Sequence, residues 1–153
     1  MIDYVRGNLL AAETDALVNA VNCIGVMGKG IALQFKQAYP VNFQRYATAC
    51  KAGEVVIGSM FVVEVSATTQ PRAIINFPTK RHWRDTSHIA DIQAGLVDLI
   101  AVVRRLRLQS IAVPALGCGN GGLAWDEVCS LIEEAFAALP VLRVLLYEPT
   151  EIS

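Results

Sequence analysis

Apolar residues along this chain fall into short blocks. Glycine, proline and polar clusters punctuate them, and the blocks switch between the period of a strand and that of a helix. Residues 2–6 read as a first strand, with Gly7-Asn8 as its turn. Asp15 precedes Ala16–Val21, a near-continuous apolar run that suits a strand covered on both faces. Residues 30–39 predict a helix with Ile31, Leu33, Phe35 and Ala38 as its apolar positions, and Pro40 ends it. Residues 42–51 predict a second helix closed by Gly53. Two strands, 59–65 and 73–77, flank a polar turn at 68–71, and Pro78 ends the second. Ser87 is a plausible N-cap for a long helix over 88–106, where Ile92, Leu96, Leu99, Ile100 and Val103 keep period 3.6. A strand at 111–116, a helix at 125–139 and a last strand at 142–147 complete the chain. Alternation of this kind implies an α/β domain with a largely parallel sheet. Ligands of such sheets bind beyond the carboxyl ends of the strands.

The candidate chemistry lies in the breaks between blocks. The stretch 19–36 reads NAVNCIGVMGKGIALQFK, so Gly25, Gly28 and Gly30 stand between a strand and a helix. A second loop of the same kind, Gly117-Cys118-Gly119-Asn120-Gly121-Gly122, follows one strand and precedes another helix. Strand, glycine turn and helix together present backbone N–H groups and a helix N-terminus to an anion. Two such loops in one small domain suggest a ligand with a diphosphate between two sugars. A third segment, 79–85, mixes cations with an aromatic in Lys80-Arg81-His82-Trp83-Arg84. That mixture suits single-stranded nucleic acid, where phosphate contacts and base stacking are both available.

Bulk properties narrow the classes. At 153 residues, 54% hydrophobic and 18% charged, the chain reads as one folded domain, 1–153, rather than a disordered one. Its net charge of -1 gives no global field towards nucleic acid or membrane, so any nucleic-acid contact comes from a local patch. No apolar run is long enough to span a bilayer, and the opening residues lack the pattern of a signal peptide. A cytoplasmic location with reduced cysteines is expected, and no membrane partner. Cys23, Cys50, Cys118 and Cys129 lack CxxC spacing and His82 and His88 lack partners at ligand spacing, so no metal is assigned. Cys23 and Cys118 read as small buried residues beside a crowded backbone.

Standard nucleotide fingerprints fit poorly. A P-loop fails because Cys23 stands where its first glycine belongs and Gly30 replaces the hydroxyl residue that holds magnesium. Gly117, Gly119 and Gly122 satisfy GxGxxG, and Glu148 follows the next strand, which is a competing dinucleotide-binding reading. That fingerprint normally opens its domain, however, and it leaves the first glycine loop unexplained.

The strings VNAVNCIGVMGKGIALQFK, NFPTK at 76–80, Trp83 and Gly117-Cys118-Gly119 resemble those of a macrodomain, the ADP-ribose-binding fold. Within it they resemble the branch of the terminal ADP-ribose protein glycohydrolase, and there the DarG-type antitoxins that remove ADP-ribose from DNA. The resemblance implies a three-layer α/β/α fold with a mixed, mostly parallel central sheet. It implies ADP-ribose contacts from Asn8, Leu9, Asn22, Gly28, Lys29, Gly30, Ile31, Ala32, Leu116, Gly117, Cys118, Gly119, Asn120, Gly121, Gly122 and Tyr147. Asn8 stands where many macrodomains carry an adenine-contacting Asp, Asn22 beside the distal ribose, and Tyr147 near the adenine. Lys80 matches the lysine on which related glycohydrolases depend, so Lys80 and Asn22 are the catalytic candidates. Arg81, Trp83 and Arg84 are the DNA-binding candidates.

The resemblance also implies an activity and partners. The activity would be hydrolysis of ADP-ribose from modified thymidine in single-stranded DNA, with no cofactor, by a monomer. It would serve as the antitoxin of a DarT-type toxin, engaged through a further C-terminal domain. Two alternatives stand beside it: removal of ADP-ribose from acidic protein side chains, and a reader that binds without turnover. The aspartate that the human-type enzyme pairs with its lysine falls on Gly121, and no acid stands between Leu116 and Trp125. Plainer readings remain open at this point: Asn22 as a loop cap, Tyr147 and Trp83 as packing residues, and Lys80 as a solvated lysine.

Overall fold

A computed structural model of the chain describes residues 1–149. Six strands form one sheet: β1 (Ile2–Val5), β2 (Ala16–Val21), β3 (Phe61–Glu64), β4 (Ala73–Pro78), β5 (Ser110–Val113) and β6 (Arg143–Tyr147). Their order is β1-β6-β5-β2-β4-β3, and every pairing is parallel except that of β3 with β4. Four helices cover it: α1 (Gly30–Ala38), α2 (Pro40–Lys51), α3 (Ile89–Arg105) and α4 (Trp125–Phe136).

The continuous apolar runs are explained by burial on both faces. Alternate strand residues Ala16, Val18, Ile75, Phe77, Ile111 and Val113 pack with Ile92, Leu96 and Leu99 of α3 and Val128 and Ile132 of α4. The intervening Leu17, Ile74, Ala112 and Leu145 pack with Phe35 of α1. A third cluster joins Val21 and Met27 to Tyr46 and Ala49 of α2. The result is the three-layer α/β/α arrangement expected. One mid-helix glycine has a packing reason: a Cβ on Gly95 would stand 2.3 Å from Cζ of Phe77. Glycine there costs about 1 kcal/mol of helix propensity, less than the ~1–3 kcal/mol of forcing a methyl into a filled core.

Several boundaries shift. Pro40 not only ends α1 but supplies N1 of α2, where its missing N–H is no loss, so that helix begins two residues before the expected 42. β5 stops at Val113 rather than 116, because Pro114 follows and has no N–H for the ladder. The helix expected to reach 139 ends at Phe136. A short 3-10 helix, Leu9–Ala11, was not anticipated; Asn8 caps it, with its Oδ1 accepting from the Leu10 N–H at 3.1 Å. Ser87 is not the N-cap of α3. His88 holds that place with no side-chain cap bond, and Asp91 supplies the first-turn acid.

Candidate functional site

Parallel pairing brings the carboxyl ends of β1, β6, β5, β2 and β4 to one edge. Across that edge, in order, come Asn8 after β1, Tyr147 at the end of β6, the second glycine loop after β5, the first after β2, and Lys80 after β4. Four strand spacings of ~4.8 Å give roughly 19 Å from first to last, the span of an extended dinucleotide-like ligand. The chain leaves β2 towards β4 and leaves β5 towards β6, so a topological switch point lies between β5 and β2. A crevice is expected there, and both glycine loops border it. Asn120 Nδ2 is 4.0 Å from where a Cβ on Gly30 would stand, so the loops meet across it.

Both loops offer backbone donors. Among the described residues, no hydrogen bond engages the N–H groups of Gly28, Lys29, Gly30, Ile31 or Ala32. α1 has no side-chain cap and no acid in its first turn. Its uncapped N–H groups and dipole therefore present positive potential, to which Lys29, the N-cap residue, adds a full charge. α4, by contrast, carries Asp126 and Glu127 in its first turn. In the second loop the N–H groups of Cys118, Gly122 and Leu123 are used internally, by Ala115, Gly119 and Gly117 carbonyls, whereas those of Gly119, Asn120 and Gly121 are not. Gly117 needs to be glycine: its φ is +73°, and a Cβ would meet Leu123 at 2.8 Å. At Gly121 a Cβ would stand 2.4 Å from the Gly117 carbonyl oxygen and 2.5 Å from Ser87 Oγ. No acid fits at that position in this loop conformation.

Asn22 has a different geometry from a free sugar-binding amide. It is 5% exposed, and its Oδ1 accepts from the N–H groups of Ile24 and Val26 and from the Tyr46 hydroxyl at 2.7 Å. Its Nδ2 donates to the Val26 carbonyl at 2.8 Å. The side chain thus closes the first glycine loop on itself, which agrees with the loop-cap reading. Tyr46, fully buried on α2, also lies 2.8 Å from the Asn22 carbonyl oxygen. Sequence reading missed Tyr46, and nothing local marks it, since it stands 24 residues from its partner. Beneath the loop, Asn19, Asn42 and Asn76 form a buried amide cluster, with Asn19 Nδ2 and Asn42 Nδ2 both donating to Asn76 Oδ1 at 3.2 Å. Met27, 1% exposed, packs its sulfur 3.8 Å from Asn19 Nδ2 and anchors the loop from below.

Lys80 follows Thr79, whose N–H donates to the Val21 carbonyl at 2.8 Å, and the next residue's carbonyl accepts from the Cys23 N–H at 3.0 Å. These bonds fix Lys80 beside the first glycine loop. It is half-buried, and desolvation holds its pKa below the ordinary lysine value; cationic Lys29 adds to this and Asp85 opposes it. The neighbouring arginines are engaged elsewhere: Arg81 pairs with Asp91 at 3.4 Å and Arg84 lies over the Trp83 ring at 4.7 Å. Trp83 is 41% exposed rather than tucked into the body. Lys80 shares this end of the site with two other ionisable groups, Asp85 and Lys29, which act on it. Tyr147 is half-buried, and burial raises its phenol pKa. The thiols of Cys23 and Cys118 are pushed up to about 11 by burial, which leaves them protonated and unreactive near neutrality. Among the described residues no group of three His, Cys, Asp or Glu is placed to hold a metal ion, and no helix is long and apolar enough to cross a membrane.

A three-layer fold with two glycine loops at its switch point sets unengaged backbone N–H groups where an anion can approach. The chain belongs to the Macro domain family, whose pattern matches residues 18–132. Among solved structures it resembles the macrodomain of Mycobacterium tuberculosis DarG, with a TM-score of 0.96 and 57% identity, covering 98% of this chain and 99% of that one. Thermosipho africanus DarTG in complex with ADP-ribose matches with a TM-score of 0.92 and 32% identity, covering 99% of this chain and 42% of that one. In sequence, the DNA ADP-ribosyl glycohydrolase of Mycobacterium tuberculosis is 57% identical over 150 residues, 98% of this chain. The chain spans 43% of that relative's length.

Proposed function

We propose that this macrodomain hydrolyses ADP-ribose from modified thymidine in single-stranded DNA and so reverses a DarT-type toxin that consumes NAD. The observation that carries the reading is Lys80, half-buried at the carboxyl end of β4 beside the first glycine loop, in a chain so similar to relatives named DNA ADP-ribosyl glycohydrolase. The Thermosipho relative is named as a fusion of a DNA ADP-ribosyl transferase with a DNA ADP-ribosyl glycohydrolase, which supports the pairing with a toxin. The adenosine would lie towards Asn8, Leu9 and Tyr147, the diphosphate between the glycine loops, and the distal ribose towards Asn22 and Lys80. No cofactor is needed, and a monomer suffices.

The bond broken joins the anomeric carbon of the distal ribose to a base nitrogen. Water adds to that carbon, the bonding electron pair stays on the nitrogen, and a proton must reach it. Lys80 serves in one of two ways. Its ammonium gives the leaving nitrogen that proton, which a depressed pKa makes easier. In the other, its neutral amine attacks the anomeric carbon as the bond to the base nitrogen breaks, the electron pair and a proton leaving with the base. The ring then opens to a Schiff base, which water hydrolyses to free the sugar and the amine. A depressed pKa favours this route by raising the amine fraction. Borohydride separates the routes, since it traps the second as an adduct on Lys80. Asn22 keeps the loop in place rather than moving a proton, and Gly121 leaves no room for an acid in the second loop.

The test is release of ADP-ribose from modified single-stranded oligonucleotide and, separately, from protein modified on acidic side chains. Release from DNA is expected. Release from protein alone would transfer the activity to the other substrate, and binding without release from either would make the domain a reader.

A further inference from the structure

Ser87 has no role in the site described above beyond crowding Gly121, yet it sits directly under the second glycine loop. Its N–H donates to the Gly121 carbonyl at 2.9 Å. Its Cβ is 3.1 Å from where a Cβ on Gly117 would stand, and its Oγ is 2.5 Å from where one on Gly121 would stand. The Gly117 carbonyl oxygen lies 2.4 Å from that same second point. Ser87 is 5% exposed, and its buried Oγ meets no hydrogen-bonding partner among the described residues. A buried hydroxyl left without a partner costs about 1–3 kcal/mol, so it persists where some other state of the molecule uses it. Among the groups packed near it are peptides of the loop whose N–H groups at Gly119, Asn120 and Gly121 are unengaged among the described residues. Ser87 also closes the segment that begins at Lys80.

We propose that Ser87 is a positioning residue for the diphosphate loop. When a diphosphate draws the N–H groups of Gly119, Asn120 and Gly121 towards it, the loop peptides turn and a loop carbonyl becomes the acceptor for the Ser87 hydroxyl. Occupancy of the second loop is thereby tied to the segment that holds Lys80. The inference rests on the reading that ADP-ribose occupies this cleft.

The sign of the effect separates this role from ordinary packing. A hydroxyl that serves only the occupied state adds nothing to the fold without ligand. Ser87→Ala is therefore expected to unfold at or above the wild-type temperature in the absence of ADP-ribose. Its ADP-ribose affinity, measured by calorimetry, should fall by about 2- to 13-fold, the loss of one hydrogen bond. Ser87→Cys, which keeps the shape and weakens the donor, should lose affinity in the same direction. A lower unfolding temperature without ligand, or unchanged affinity in either variant, overturns the assignment. Failure of the wild-type protein to bind ADP-ribose would instead overturn the reading of the cleft itself.

Discussion

Replacing Gly121 by alanine and Gly119 by alanine separates what the second loop does for the fold from what it does for a ligand. The two glycines stand two residues apart, and neither has φ in the left-handed region, so backbone strain is not at issue. Around Gly121 an added Cβ would sit 2.4 Å from a backbone oxygen and 2.5 Å from Ser87 Oγ. Contacts that short do not occur, and the Gly117 carbonyl cannot swing away like the end of a side chain, so the loop must move. Overpacking of this kind costs ~1–3 kcal/mol, which lowers the unfolding temperature by roughly 2–12 °C in a domain of this size. Because the shifted backbone carries the unengaged N–H groups, Gly121→Ala should lose ADP-ribose affinity as well. Around Gly119 nothing lies within 4 Å of the added Cβ. Gly119→Ala should therefore stay within about 0.5 kcal/mol of wild type in stability, as surface changes do, and lose affinity alone. Thermal unfolding and titration calorimetry on both variants read the two quantities. A Gly121→Ala protein as stable as wild type would refute the packing geometry. A Gly119→Ala protein with wild-type affinity would refute the second loop as the diphosphate contact.

Three further outcomes follow from the site. Tyr46→Phe removes the hydroxyl at Asn22 and should destabilise the domain by about 1–2 kcal/mol, with weaker ADP-ribose binding through a looser first loop; unfolding and affinity both at wild-type level would contradict the clamp. Lys80 has its folded pKa below its unfolded one, so the charged side chain opposes folding; Lys80→Met should be more stable than wild type near pH 7, and the advantage should fade as pH rises through the folded pKa towards the ordinary lysine value of about 10.4. Denaturant unfolding across that range with no such convergence would contradict the burial of the ammonium. The joint change of Arg81 and Arg84 to alanine should weaken binding of modified oligonucleotide more at low salt than at high, and leave free ADP-ribose unaffected; equal weakening of both ligands would place these side chains in support of the cleft.

Much of this was readable along the chain, for local reasons. The two glycine loops, the strands leading into them and α3 all follow from runs and periods within a few residues. Burial on both faces made Ala16–Val21 and Ala73–Pro78 look continuous rather than alternating, and that pattern alone implied covering helices. What escaped was decided across the fold. Tyr46 reaches Asn22 from another helix, and the amides of Asn19, Asn42 and Asn76 meet only when β2, β4 and α2 assemble. Ser87 has the residue type and place of an N-cap, yet packing under Gly121 takes it from the helix. The same holds for charge: Arg81 and Arg84 neighbour Lys80 in sequence, but Asp91 and Trp83 engage them, and Lys29 from the other loop acts on Lys80 instead.

The measurement that bears most directly on the activity uses single-stranded oligonucleotide carrying ADP-ribose on one thymidine. Wild-type protein and Lys80→Ala are compared for released ADP-ribose, and for affinity towards free ADP-ribose. Release by the wild type, its abolition in Lys80→Ala, and an affinity within a few-fold between the two are predicted. Full turnover by Lys80→Ala, or no release from DNA by the wild type, would contradict the account.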